Sequence, residues 1–199
     1  MPMIRETIVS TVDGAGRRVH LAPLGVIAEG DGFIIAPFRP STTLDNLRVV
    51  PFAAANFTDD VRVFAGCLTG RGEWPMTPGG EFPVPRLAGA LAHAELAVTH
   101  VTENDERPRF HCRVLRTVTH APFKGFNRAQ AAVIEAAILV SRLTMLPREK
   151  VERDMAYLEI AISKTASGAE EEAWRWLTER TRKFYAEAGQ GSGDKAQQR

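Results

Sequence analysis

The sequence predicts a mainly β protein with some α-helix, in which a closed or partly closed antiparallel β-barrel is followed by C-terminal helices. Up to about residue 120, short apolar and β-branched runs alternate with turn clusters rich in glycine, aspartate and asparagine, a pattern typical of antiparallel strands joined by tight turns. From residue 127 onward, apolar residues recur at the three- and four-residue spacing of amphipathic helices. We therefore predict a barrel over residues 1–125, helices over 126–188 and a disordered tail over 189–199.

The predicted strands begin as a meander. The first two form a hairpin around the turn cluster at residues 13–16, and a second glycine-rich turn at 29–32 leads into the third strand. Acidic turns at 58–60 and 103–106 join the later strands in pairs. The seven predicted strands are 4–11, 19–27, 33–36, 52–57, 61–69, 93–102 and 109–119.

A short helix and a long loop interrupt these strands. Residues 41–48 begin with hydroxyl residues suited to an N-cap and end before Pro51. Residues 71–89 hold four prolines among apolar residues, which predicts an ordered loop that is either a functional lid or packing over the barrel end. The later helices are predicted at 127–143, 148–164 and 169–188.

Length and composition indicate a soluble globular protein. The 199 residues are 44% hydrophobic and 25% charged, which excludes disorder for the bulk of the chain. The net charge of +1 gives no general affinity for nucleic acid, since neutralising phosphates needs a clustered basic surface. No apolar stretch approaches the ~20 residues that cross a bilayer, and the first residues do not resemble a signal peptide. We expect a cytoplasmic protein with neither nucleic acid nor membrane as a partner.

The sequence predicts no metal site and no disulfide framework. Cys67 and Cys112 are the two cysteines, and each lies in a β-type apolar run, as small buried side chains do. The five histidines are scattered along the chain.

The segment from Pro37 to Asn46 carries the clearest sign of a ligand. A predicted strand ends there, Arg39 follows, and consecutive hydroxyl residues then open a helix. Free amides at a helix N-terminus, together with an arginine, favour an anion such as a phosphomonoester. The alternative is a plain N-cap beside a solvent-facing arginine.

Four segments in this order resemble the FMN-binding split-barrel superfamily, which includes flavin reductase-like proteins and pyridoxamine phosphate oxidases. Within it, the chain is most similar to an uncharacterised archaeal and bacterial family whose members continue with a helix like that from Phe126 to Glu135. The resemblance implies an antiparallel split β-barrel of the Greek-key type. The segments are 4–11, 20–26, 39–47 and 55–60.

The resemblance implies bound FMN, and it assigns roles to particular residues. The flavin phosphate would be held within the segment after Arg39, and the strand that contains Pro23, Leu24 and Gly25 would lie along the isoalloxazine ring. Asn56 or Thr58 would approach the flavin, and a homodimer would place the flavin in the groove between subunits. The phosphate turn comprises Arg39, Ser41, Thr42, Thr43 and the supporting Asn46.

A charged stripe on the first long helix leaves two interpretations open. Arg128, Glu135 and Arg142 are spaced seven residues apart on an otherwise apolar helix. They form either a salt-bridged stripe at a helix or dimer interface, or a site in which Arg128, with Lys124, holds an anionic substrate or the flavin phosphate of the partner.

Function is expected to follow from the cofactor. Because flavin carries electrons itself, no catalytic residue is required or predicted. The leading hypothesis is an FMN-dependent oxidoreductase with a nicotinamide nucleotide or another small molecule as redox partner. The region after Thr69 lacks a flavin reductase signature of the Gly-Asp-His type, so a non-catalytic flavin or pterin-like binder or carrier is an alternative, and a barrel that acts only through protein contacts is another.

Overall fold

The computed structural model describes residues 2–16 and 18–196, and the side chains within them up to residue 188. The chain divides into two compact units. One comprises Met1–Val63 and Gly72–Lys124, and the other comprises Phe64–Arg71 and Gly125–Arg199.

The first unit is a closed antiparallel barrel of six strands in the order β1-β2-β3-β8-β7-β4, with β5 and β6 as a separate two-stranded sheet. The predicted fold class, an antiparallel barrel followed in sequence by C-terminal helices, is confirmed. The strands are β1 (Ile4–Val12), β2 (Val19–Glu29), β3 (Gly32–Ile35), β4 (Phe52–Phe57), β5 (Met76–Thr77), β6 (Arg86–Leu87), β7 (Ala92–Thr102) and β8 (Arg109–Thr119).

The barrel core follows from the alternation of side chains along each strand. Inward residues such as Val9, Val26 and Phe110 have no exposed surface. Helix α1 (Thr42–Val49) adds Leu44 and Leu47 to the same cluster. The helix is therefore held against the barrel by the apolar side of its first two turns.

The prediction of a strand at residues 61–69 was wrong, because this segment holds helix α2 (Arg62–Leu68). The side chain of Asp60 accepts a hydrogen bond from the backbone N–H of Arg62 at 3.1 Å, as a capping carboxylate does at a helix start. Cys67 accordingly lies in a helix and not in a β run. Short apolar segments fit a buried strand and a buried helix equally well, and the cap decides between them.

The loop at 71–89 packs against the barrel. Strands β5 and β6 pair within it, and Phe82 and Val84 are buried in a cluster with Val12 and Ala54. The edge of the Phe82 ring meets Phe52 with centroids 5.8 Å apart. These contacts favour the packing interpretation of the loop over that of a lid.

The second unit contains α3 (Arg128–Ser141), α4 (Arg148–Thr165) and α5 (Gly168–Ala196). Asn127 caps α3 by accepting a hydrogen bond from Ala129 N–H at 2.7 Å. Val133, Val151 and Leu177 are fully buried, one from each helix. None of the helices in the described ranges combines the length and apolar character that crossing a membrane requires.

Helix α5 is assigned as far as Ala196, past its predicted end at residue 188 and into the predicted disordered tail. An existing helix adds residues without a new nucleation step, so weak helix formers can follow a strong helix. Residues 197–199 of the predicted tail lie outside the described part of the chain.

Candidate functional site

The start of α1 presents a set of hydrogen-bond donors. Ser41 is the N-cap, and its hydroxyl accepts a hydrogen bond from Leu44 N–H at 3.3 Å. The first amides of an α-helix have no partner within the helix, and in the described residues no other group accepts from the N–H of Thr42 or Thr43. These amides and the exposed hydroxyl of Thr42 can donate to an anion.

Glu103 orients the arginine beside these amides. The Arg39 guanidinium donates to a Glu103 carboxylate oxygen at 2.8 Å and to the Asn104 carbonyl at 3.3 Å. Arg48, in the last turn of α1, donates to the other Glu103 oxygen at 2.8 Å. The turn between β7 and β8 thus binds one arginine before α1 and one in its last turn.

The remaining residues of the predicted phosphate turn point toward the protein interior. Thr43 is buried, and Asn46 is buried with its Nδ2 donating to the Thr11 hydroxyl at 3.0 Å. Asn46 therefore supports the helix against β1. The role of Asn46 in supporting a phosphate turn stays a prediction, and direct contact of Thr43 with a ligand would use its backbone amide.

The other half of the candidate site is an unpaired edge of β2. Strand β2 pairs with β1 over residues 19–27 but with β3 only over residues 27–29. Ala28 N–H donates to the carbonyl of Met3, the residue before β1, at 2.8 Å. The backbone N–H of Ala28 therefore points toward β1. Because backbone groups alternate in direction along a strand, those of Leu21, Pro23 and Gly25 point away from β1. No strand in the described residues pairs with them, so they can bind a ligand edge.

Gly25 lies where a side chain would have little room. A Cβ atom at Gly25 would lie 2.7 Å from Cγ2 of Ile4 and 3.1 Å from Oε1 of Glu6. Leu24 packs against the cluster that contains Leu44 and Leu47 of α1. The structure therefore brings α1 and the Pro23, Leu24 and Gly25 segment into one part of the barrel.

These two features fit the chemistry of FMN. Amide N–H groups, a hydroxyl and an oriented guanidinium are the donors that a phosphate monoester prefers. Backbone N–H and carbonyl groups along a strand edge match the alternating polar atoms of a flavin ring edge. The described residues contain no cluster of three or more His, Cys, Asp or Glu that could hold a metal ion.

Two further predicted cofactor residues, Asn56 and Arg128, are placed differently. Asn56 is fully buried, and its Nδ2 donates to the Ile8 carbonyl at 2.8 Å while its Oδ1 accepts from Leu87 N–H at 2.8 Å. Arg128 is the first residue of α3 and belongs to the other compact unit. Their assignment to the cofactor stays a prediction from the family resemblance.

Sequence reasoning missed Glu103 and a histidine pair on the barrel. Nδ1 of His93 lies 2.9 Å from Nε2 of His120, and the two rings stack with centroids 5.1 Å apart. His93 also approaches the buried Glu95, which Arg116 binds. The spacing of these residues along the chain gave no signal, because strand register brings them together.

Stability is expected to fall as the pH is lowered from 7.5 to 5.5. Burial and the neighbouring charge of His120 lower the pKa of His93, although Glu95 opposes this effect; burial also lowers the pKa of His120, and Arg86 adds to the effect on both rings. The unfolded chain then binds more protons than the folded chain below the ordinary pKa of about 6.5, which favours unfolding. Urea denaturation at several pH values measures the change.

The His93→Gln variant tests the source of this pH dependence. Its midpoint of unfolding should vary less with pH than that of the original protein over the same range. His100→Gln, on the exposed part of β7, controls for the loss of one imidazole. Equal slopes for His93→Gln and the original protein would contradict the assignment.

Two family models match the chain. One is described as the N-terminal domain of a protein of unknown function (DUF447) and matches residues 5–121. The other is described as a protein of unknown function (DUF447) and matches residues 127–179. A search of curated proteins finds no match.

Solved structures share the fold. The chain is similar to an FMN-bound protein from Methanosarcina mazei, with a TM-score of 0.78, 23% identity, and coverage of 90% of this chain and 96% of that one. It is also similar to a 2-nitrobenzoate 2-nitroreductase from Pseudomonas fluorescens, with a TM-score of 0.50, 17% identity, and coverage of 60% and 66%. A third similar structure is a homolog of nitrilotriacetate monooxygenase component B from Mycobacterium thermoresistibile. Its TM-score is 0.51 and its identity 14%, with coverage of 61% of this chain and 73% of that one.

Proposed function

The chain belongs to the DUF447 family of proteins of unknown function, and we propose that it is an FMN-binding flavoprotein that passes electrons through the bound flavin. The proposal rests on one observation, which is that two features able to bind parts of a ligand lie in the same barrel. Phosphate donors open α1, and an unpaired strand edge on β2 lies beside the same core cluster. The fold of the FMN-bound protein from Methanosarcina mazei supports the same interpretation.

Different residues hold the phosphate and the ring of the cofactor. Arg39 and the backbone amides of Thr42 and Thr43 bind the phosphate, and the backbone of Leu21 and Gly25 receives the polar edge of the ring. Bound FMN supplies the electron transfer, since the isoalloxazine ring itself is the redox group. The chain's part is to position and orient that ring and to admit a nicotinamide nucleotide or another small redox partner.

The first test is the visible absorption spectrum of the purified protein, followed by mass identification of what heat denaturation releases. A flavin spectrum and released FMN are expected. Anaerobic mixing with NADH or NADPH then tests electron transfer, and rapid bleaching of the bound flavin supports it. Colourless protein that also fails to bind added FMN would overturn the proposal, and flavin that no donor bleaches would overturn the electron-transfer half.

Arg39→Ala is expected to weaken FMN binding roughly ten- to a hundredfold. The reason is that loss of one hydrogen bond to a charged group costs about 1.5 to 3 kcal/mol. Fluorescence quenching of FMN titrated into apoprotein measures the dissociation constant. Arg48→Ala is the matched control, because Arg48 binds the same Glu103 carboxylate from the other end of α1.

Only the Arg39 variant should lose affinity if its guanidinium binds the phosphate. Equal losses in both variants would instead assign the effect to the position of Glu103. Unchanged affinity in Arg39→Ala would remove Arg39 from the site.

A further inference from the structure

An open groove between α3 and α4 exposes apolar side chains in the helical unit. It measures about 620 Å³, and Ile138, Leu139 and Leu158 contribute to its lining. Tyr157, which also lines it, has 74% of its surface exposed, and Met145, next in sequence to the lining residue Leu146, has 73%. Contiguous exposed apolar surface indicates a binding face.

Two charged residues on this groove form no ion pair within the described ranges. Glu135 and Arg142 line it from α3, and neither forms a salt bridge there, whereas α4 pairs Arg148 with Glu152 at 2.6 Å and Lys150 with Asp154. The predicted stripe of Arg128, Glu135 and Arg142 is therefore not bridged within the described part of the chain. A partner can supply the missing counter-charges.

The order of charges along the groove is self-complementary. Helices α3 and α4 form a hairpin, so Arg142 and Lys150 lie at the end near the connecting loop. Glu135 lies toward the opposite end, seven residues and about 10 Å along α3 from Arg142. A two-fold axis near Ile138 places the basic end of one hairpin against the acidic end of its copy.

We propose that this α3–α4 face binds the same face of a second copy of the chain. In this isologous interface, Glu135 of one protomer pairs with Arg142 of its partner, and the apolar residues around Ile138 cover each other. A different protein would carry charges opposite to those of Glu135 and Arg142 at the right spacing only by chance. A second copy of the chain carries them at that spacing by symmetry. The inference does not depend on flavin binding.

Charge reversal tests the pairing. Light scattering coupled to size exclusion measures the mass of the original protein and of E135R, R142E and the double variant E135R/R142E. We expect each single reversal to halve the assembly mass and the double reversal to restore it, because the swapped charges again face each other. Glu171→Arg, an exposed reversal on α5, is the control and should leave the mass unchanged.

A crosslink locates the axis and separates this interface from any contact made by the barrel. Ile138→Cys should form a disulfide-linked dimer under mild oxidation, since side chains near a two-fold axis meet their own copies, and the original protein with Cys67 and Cys112 is the control. Thermal unfolding, monitored by circular dichroism, checks that every variant is folded. A monomeric original protein, folded single reversals of unchanged mass, or an Ile138→Cys variant that forms no crosslink would overturn the proposal.

Discussion

Replacing Asn56 by leucine is expected to lower the free energy of unfolding by about 3 kcal/mol or more. The amide joins three elements, since it bonds the carbonyls of Ile8 on β1 and Ala54 on β4 and accepts from Leu87 N–H on β6. It also donates to the Ser10 hydroxyl at 3.2 Å. Leucine keeps the volume but leaves these buried groups without their partner, and each unsatisfied buried group costs about 1 to 3 kcal/mol.

Urea denaturation of the apoprotein measures this loss without a contribution from ligand binding. Asn46→Leu is the graded comparison, because the hydrogen bond described for the Asn46 side chain is the one to the buried Thr11 hydroxyl, and leaving that single group unsatisfied should cost about 1 to 3 kcal/mol. Equal destabilisation by the two variants would show that Asn56 is not the stronger crosslink of the barrel.

Gly32→Ala is expected to destabilise the barrel by about 3 kcal/mol. A Cβ atom at Gly32 would lie 2.2 Å from the carbonyl oxygen of Cys112. Since that oxygen belongs to the backbone of β8, it cannot swing aside as a side chain would. Strands β3 and β8 would have to separate at the point where Phe33 pairs with Cys112.

Gly72→Ala is the matched control for this substitution. A Cβ atom at Gly72 meets no other atom within 4 Å, so the change adds a methyl group without a clash. Thermal unfolding should show a clear decrease for Gly32→Ala and little change for Gly72→Ala. A Gly32→Ala protein as stable as the original would mean that β3 and β8 separate at little cost.

Much of the barrel could be predicted because strand signals are local. The turn at 13–16 and the alternation before and after it define the β1–β2 hairpin, and Ser41 marks the start of α1 from sequence alone. The segment at 61–69 was misassigned because apolar runs of that length suit either element. The Asp60 cap that decides the matter is visible only in its hydrogen bonds.

The candidate site was only partly predictable. The donors at the start of α1 lie within one short segment, and their residue types indicate an anion. Glu103, however, meets Arg39 from 64 residues away, and the open edge of β2 depends on where β3 stops pairing. Strand register and long-range ion pairs determine both features, and neither has a local pattern.

The unpaired edge of β2 also bears on the risk of aggregation. Exposed strand edges are the usual starting points for the addition of strands from other molecules. Pro23 lies within that edge and faces away from β1, where its nitrogen carries no hydrogen to donate. An incoming strand would meet a gap in the ladder at that position, whereas a small planar molecule can bind the groups on either side. The same proline therefore makes this open edge a poor template for the addition of another strand.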